Sequence, residues 1–113
     1  MATIFTRILD GEIPGKIVAR NDELAAIEDI NPQAPTHILI IPIREIATIN
    51  DLSPEDAGLI GRMILMGKQI AEERGFAEGG YRLVFNVGEE GGQTVDHIHL
   101  HLLGGRAMAW PPG

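Results

Sequence analysis

Three histidines stand at alternate positions late in the chain, in Asp96-His97-Ile98-His99-Leu100-His101-Leu102-Leu103, and they are three of the four in the sequence. Side chains alternate across a β-strand, so this spacing predicts all three imidazoles on one face. Ile98, Leu100 and Leu102 then turn the other way, into a core. Imidazole is the side chain whose unperturbed pKa lies near neutrality, and it serves as acid, base, nucleophile or metal ligand.

Two chemistries compete for such a row. Imidazoles at i and i+2, roughly 6.6–6.8 Å apart along a strand, can converge on one zinc ion, which binds nitrogen at about 2.0 Å. The outer two stand roughly 13 Å apart by the same rise, so three ligands from one straight strand converge poorly. His37 would help as a fourth ligand, but no cysteine or obvious acidic partner completes a set. No metal site is therefore expected. An extended phosphate suits the row better, with one imidazole attacking and its neighbours donating hydrogen bonds. The loop before it, Gly88-Glu89-Glu90-Gly91-Gly92, allows close backbone approach at Gly91-Gly92, and the amides and side chains of Gln93 and Thr94 follow at once. It is not a P-loop, since it lacks the lysine and the following helix. A single histidine is more often structural, and His37, opening an apolar strand, reads that way on its own. Met63 and Met66 read as core, Asp96 as solvated at a strand entry, and Glu89-Glu90 as a solvated loop.

The elements that must position the row can be read from periodicity and punctuation. At 113 residues, 44% hydrophobic and 22% charged, the chain is long enough for one core and is expected to be a single domain over residues 1–113. Thr3 to Leu9 reads as a short amphipathic helix ending near Asp10-Gly11. Lys16 to Arg20 and Glu23 to Glu28 read as strands around a turn at Asn21-Asp22. His37 to Pro42 is β-branched and nearly continuously apolar, the mark of a central strand. Ser53 as N-cap, Pro54 at the first helical position, and Glu55 and Asp56 in the first turn open a long helix. Its buried stripe is Leu59, Ile60, Met63, Met66, Ile70 and Ala71, and Arg74-Gly75 close it. Tyr81 to Val87 and the histidine segment are the last strands. The sum is an α+β domain: a five-stranded antiparallel sheet with one long and one short helix.

Composition removes several function classes. With no cysteine, disulfides, thiolate metal sites and a cysteine nucleophile are excluded. A formal net charge of −7 makes a poor general nucleic-acid binder, so no nucleic-acid partner is expected. A small anion held by local amide dipoles remains open. The longest clean apolar run, Ile38 to Ile41, is far too short to cross a membrane, and the N-terminus has no basic stretch before an apolar core. No membrane association is expected, and a cytoplasmic home is.

The segment from Gly91 to Arg106 resembles the histidine triad superfamily, whose motif is His, apolar, His, apolar, His, apolar, apolar. The ending Gly104-Gly105-Arg106-Ala107-Met108-Ala109-Trp110-Pro111-Pro112-Gly113 is similar to the branch called Hint, the histidine triad nucleotide-binding proteins. The resemblance also covers Ile4-Phe5, Gly11 to Pro14, Asp29 to His37 and Tyr81 to Asn86. It implies a homodimer whose two five-stranded sheets join into one, and purine nucleoside phosphoramidase activity. In that reaction the P–N bond of an adenosine or guanosine 5′-phosphoramidate is hydrolysed through a nucleotidyl-histidine, leaving a purine nucleoside monophosphate. By position His99 matches the nucleophile, and His101 the histidine that contacts phosphate and assists the leaving amine. His97 and His37 match the supporting pair, and Thr94 falls where a hydroxyl lies near the leaving group. Gly92, Gln93, Thr94, Val95 and Asn86 would face the phosphate, and Asp29 would accept the ribose hydroxyls. Phe5, Ile8, Ile13, Ile27 and Ile30 would form the slot for the base. No cofactor and no metal are implied. Asp96, where the family often has an aromatic, and Ala109, where a polar residue or histidine is common, bear on leaving-group preference. A second reading is a nucleotide-binding interaction module with little turnover.

Overall fold

The computed structural model describes residues 2–113. A short helix, α1 (Ile4–Leu9), precedes three strands, β1 (Ile17–Arg20), β2 (Leu24–Glu28) and β3 (Thr36–Pro42). The long helix α2 (Ala57–Glu73) follows, then β4 (Tyr81–Phe85) and β5 (Leu100–Gly104). The strands form one antiparallel sheet in the order β1-β2-β3-β5-β4. The expected architecture is present: five antiparallel strands with one long and one short helix. Among the described residues no helix is long and apolar enough to cross a membrane.

β3 lies at the centre and every one of its residues is buried, which is why Thr36 to Pro42 carries almost no polar side chain. Strand alternation then divides the molecule. Leu24, Ala26, Ile38, Ile40, Leu100 and Leu102 face α2 and pack with Leu59, Met63 and Ile70. On the other face, Ala25, Ile27, Leu39 and Ile41 pack under Phe5 and Leu9 of α1. Leu39 stands opposite His101, and His37 opposite Leu103, so the histidines of β3 and β5 emerge on the α1 face.

Several boundaries differ from expectation for local reasons. Ser53 and Pro54 do start a helical segment, but its first turn is a 3-10 helix over Pro54–Asp56, closed by a Ser53–Asp56 capping box. Ile60 and Met66 are only half-buried, and Gly67 takes a place in the buried stripe. A Cβ on Gly67 would come 3.3 Å from Ile40 Cδ1, so the missing side chain lets the helix sit close to the sheet. β4 stops at Phe85, and Asn86 and Val87 lead out of the sheet to the turn that starts at Gly88. The histidine segment differs most: β5 starts only at Leu100, His97 lies in a bend over 95–97, and His99 lies in the irregular stretch between the bend and the strand.

Gly104 ends β5 under the ring of Phe76, where a Cβ would collide with the ring carbons. Gly104→Ala is therefore expected to lower the unfolding free energy by about 1–3 kcal/mol, measured by urea denaturation.

Candidate active site

A cavity of about 230 Å³ opens on the α1 face. Its walls are Phe5 and Ile8 from α1, Ile27 and Leu39 from the sheet, Asp29 and Ile30 from the β2–β3 connection, and Thr94, Val95, His99 and His101. Of the expected slot residues, Phe5, Ile8, Ile27 and Ile30 are brought together. Ile13 is not among the lining residues, whereas Ile4, Leu39 and Glu28 are. Leu39 could have been found by register, since it pairs with His101. Ile4 and Glu28 gave no such signal. A larger surface depression of about 490 Å³, around Asp22, Glu23, Arg44 and Leu59, contains no histidine and carries none of the chemistry below.

Three of the four histidines are held by a main-chain group that can play only one part. His97 is wholly buried, and its Nε2–H donates to the Pro42 carbonyl at 2.8 Å. Its Nδ1 must then accept, and the Thr3 hydroxyl donates to it at 2.7 Å. The carbonyl of His97 in turn accepts from His99 Nδ1–H at 2.8 Å. That fixes His99 in the tautomer whose Nε2 is a bare lone pair. Phe5 packs edge-on against both rings, with centroids 5.7 Å from His97 and 5.0 Å from His99.

The second pair is ordered from the other side. The backbone N–H of Gln33 donates to His37 Nδ1 at 3.0 Å, so the proton of His37 sits on Nε2. That N–H donates to His101 Nδ1 at 2.9 Å, and Asp29 Oδ2 lies 3.5 Å from the same His37 nitrogen. His101 is thereby left with its proton on Nε2. Asn86 Nδ2 stands 3.5 Å from that nitrogen, at the outer limit of a hydrogen bond, so the 2.9 Å contact with His37 decides the tautomer. Asp29 itself is held by an Asn31 N–H on Oδ1 at 2.8 Å. Asp29, His37 and His101 offer ligand atoms within 4.8 Å of one another, the one described cluster that could also close on a metal ion. It draws on two neighbouring strands and a loop, and takes only His101 from the histidine row.

All four rings are neutral near pH 7. Burial holds His37, His97 and His99 below the ordinary histidine value. His101 is pushed down to about 4, first by burial and then by its neighbours His99 and His37.

The glycine loop is built for its own folding as much as for approach by a ligand. A Cβ on Gly91 would overlap the main chain of Val87, and Gly92 has φ +82°. Gly92 is not among the residues lining the cavity. Gln93 is a correction. Its backbone N–H donates to Gly88 O at 3.0 Å, and its carboxamide nitrogen donates to Ala47 O and Val95 O at 2.6 and 3.0 Å. Its oxygen accepts from Gly88 N–H at 3.0 Å, so Gln93 braces the loop from within and has no donor left for a phosphate. Thr94 and Val95 do line the cavity. Among the described residues, their backbone N–H groups have no intramolecular partner.

A sequence profile of the HIT domain matches residues 10–108. The chain is 55% identical over 106 residues to the purine nucleoside phosphoramidase of Escherichia coli K12, covering 94% of this chain and 89% of that one. It is 50% identical over 111 residues to an uncharacterized HIT-like protein of Synechococcus elongatus, covering 98% and 96%. Among solved structures, a HIT family hydrolase from Legionella pneumophila Philadelphia 1 superposes with a TM-score of 0.95 at 53% identity, covering 99% of this chain and all of that one.

The depressed histidines make stability depend on acid. Below the unfolded value of about 6.5 the unfolded chain takes up protons that the folded chain refuses. The stability they confer is complete above that pH and is lost as pH falls towards about 4. Urea midpoints should drop across this window, and drop less steeply in His101→Gln. Equal slopes for the two proteins would contradict the assignment.

Proposed function

This chain belongs to the HIT domain family, and on that premise we propose that it is a single-domain purine nucleoside phosphoramidase. It hydrolyses the P–N bond of a purine nucleoside 5′-phosphoramidate to the monophosphate and an amine. The observation that carries the reading is the bare Nε2 of His99 on the wall of an apolar cavity, with Asp29 at the same cavity.

The base lies between Phe5, Ile8, Ile27 and Ile30, and the ribose hydroxyls donate to Asp29. The phosphoryl group rests against the Thr94 and Val95 amides and His101 Nε2–H, with Asn86 behind His101. Unpartnered N–H groups aimed at a phosphate stabilise the charge that grows on its oxygens in the transition state. His99 Nε2 attacks phosphorus; the N–P bond to His99 forms as the bond to the amine breaks. The departing nitrogen takes a proton from solvent through the exposed Thr94 hydroxyl, while His101 Nε2–H hydrogen-bonds to it. Water then attacks phosphorus, the His99–phosphorus bond breaks, and the water's second proton returns to solvent. His99 ends as it began, with its proton on Nδ1. His97 and His37 take no part in bond making; they hold the other two rings in the required tautomers.

The working unit is a homodimer formed along β4, the sheet edge next to the His101 strand, and the protein acts in the cytoplasm without nucleic acid or membrane. Support for the dimer comes from the half-buried residues along the whole of β4 and from Trp110, 83% exposed in the single chain. Sedimentation should report twice the chain mass.

His99→Ala is expected to lower turnover of an adenosine phosphoramidate by roughly 10³-fold or more. Wild-type protein quenched with alkaline denaturant during turnover, which spares the acid-labile P–N bond, should carry a nucleotidyl group on His99 by mass spectrometry. Nucleotide binding with no turnover and no adduct would instead favour an interaction module. Because kcat/KM reports the free enzyme, its acid limb should lie below the ordinary histidine value of about 6.5, with rate lost as His99 becomes protonated.

A further inference from the structure

Thr3 lies outside the histidine motif and outside the cavity wall, yet its polar groups join both. Its N–H donates to Glu45 Oε1 at 2.7 Å, and its hydroxyl oxygen accepts from Thr6 N–H at 3.2 Å as the N-cap of α1. The hydroxyl has one proton to give. His97 Nδ1 stands 2.7 Å away and Thr6 Oγ1 3.4 Å, so the proton goes to His97. We propose that Thr3 is a positioning residue for the reaction: its hydroxyl fixes the ring of His97, the His97 carbonyl fixes His99, and the same hydroxyl caps the helix that carries Phe5. The proposal rests on the reading of His99 as nucleophile.

The need for such an anchor follows from where β5 begins. A residue inside the sheet has its carbonyl direction set by the ladder. His97 precedes the ladder, in a bend, and among the described residues the backbone bonds that hold its main chain are His97 N–H to Val95 O (2.8 Å) and Ile98 N–H to Ile46 O (2.7 Å). Its ring supplies the remaining restraint, clamped by Pro42 O on one nitrogen and Thr3 on the other. Losing the Thr3 donor leaves a buried Nδ1 without a partner and frees the ring to turn. The carbonyl that orients His99 then loses its bracing. Removing the hydroxyl altogether also removes the N-cap of α1, whose Phe5 lies against both rings. One hydroxyl thereby ties the base-binding wall to the alignment of the nucleophile.

Three substitutions separate the two duties. Thr3→Ser keeps cap and donor. Thr3→Val removes both. Thr3→Asp keeps a strong N-cap but, as a carboxylate, can only accept. Rapid-quench mass spectrometry gives the rate of nucleotidyl-His99 formation from an adenosine phosphoramidate, and calorimetry gives AMP affinity. Thr3→Ser should stay within about threefold of wild type. Thr3→Val and Thr3→Asp should form the adduct roughly 10- to 100-fold more slowly, with AMP affinity of Thr3→Asp changed by less than about threefold. An unchanged rate in Thr3→Asp, or a loss seen only in affinity, would overturn the role of Thr3. Failure of wild type to form any adduct would instead overturn the nucleophile reading. If neither Val nor Asp variant folds, neutron diffraction of the wild type decides: a Thr3 hydroxyl proton off the line to His97 Nδ1 refutes the proposal.

Discussion

The site depends on one constraint: three of the four imidazoles meet a backbone group that cannot change its part in a hydrogen bond, and the fourth, His101, takes its tautomer from His37. The carbonyls of Pro42 and His97 only accept, and the amide of Gln33 only donates. A histidine against water chooses its tautomer freely; these have no choice. The Pro42 carbonyl places a proton on His97 Nε2, and the His97 carbonyl places one on His99 Nδ1. The Gln33 amide, acting through His37, places one on His101 Nε2. The result is one bare nitrogen and one N–H side by side, with ring centroids 4.9 Å apart. Burial lowers the pKa of every member and keeps this arrangement from being erased by protonation near neutrality.

These backbone groups are placed by the register of β3. Pro42 ends that strand, His37 is its second residue, and Gln33 lies in the Pro-rich connection before it. Pairing of Leu39 with His101 carries the fourth histidine and the third of the row to the same face. A slip by one residue would turn His37 towards α2 and expose Ile38 and Ile40 on the α1 face. The packing that secures the core thus secures the proton pattern as well. The apolar side chains of β2 and β3 are divided between two clusters, and neither cluster can be exchanged for the other without losing the site.

Much of this was legible in the residues. Alternation of histidine with Ile98, Leu100 and Leu102 identified the two faces, and the apolar run of β3 identified the central strand. The sequence suggested three imidazoles on one strand, and that was too simple: only His101 belongs to the ladder, while His97 lies in a bend and His99 just before the strand. A pattern of period two cannot reveal where hydrogen bonding to a neighbour begins. Gln93 misled for a similar reason. Its position beside the glycines suggested a phosphate donor, but its carboxamide closes the loop on Gly88, Ala47 and Val95, partners that sequence proximity does not disclose. Ile13 has the right character for the slot, but it is not among the residues that line the cavity. Thr3 opened the short helix expected from the sequence, but nothing there marked it as a partner of His97, a contact between residues 94 positions apart.

The central claim is that His99 is neutral, with its proton on Nδ1 and a lone pair on Nε2 before any substrate arrives. Histidine-labelled ¹⁵N NMR of the nucleotide-free protein at neutral pH tests it directly, because protonated and bare ring nitrogens differ widely in shift. The account predicts a protonated Nδ1 and a bare Nε2 for His99, retained on acidification below the ordinary histidine value. A His99 that carries its proton on Nε2, or that is an imidazolium at neutral pH, would contradict it.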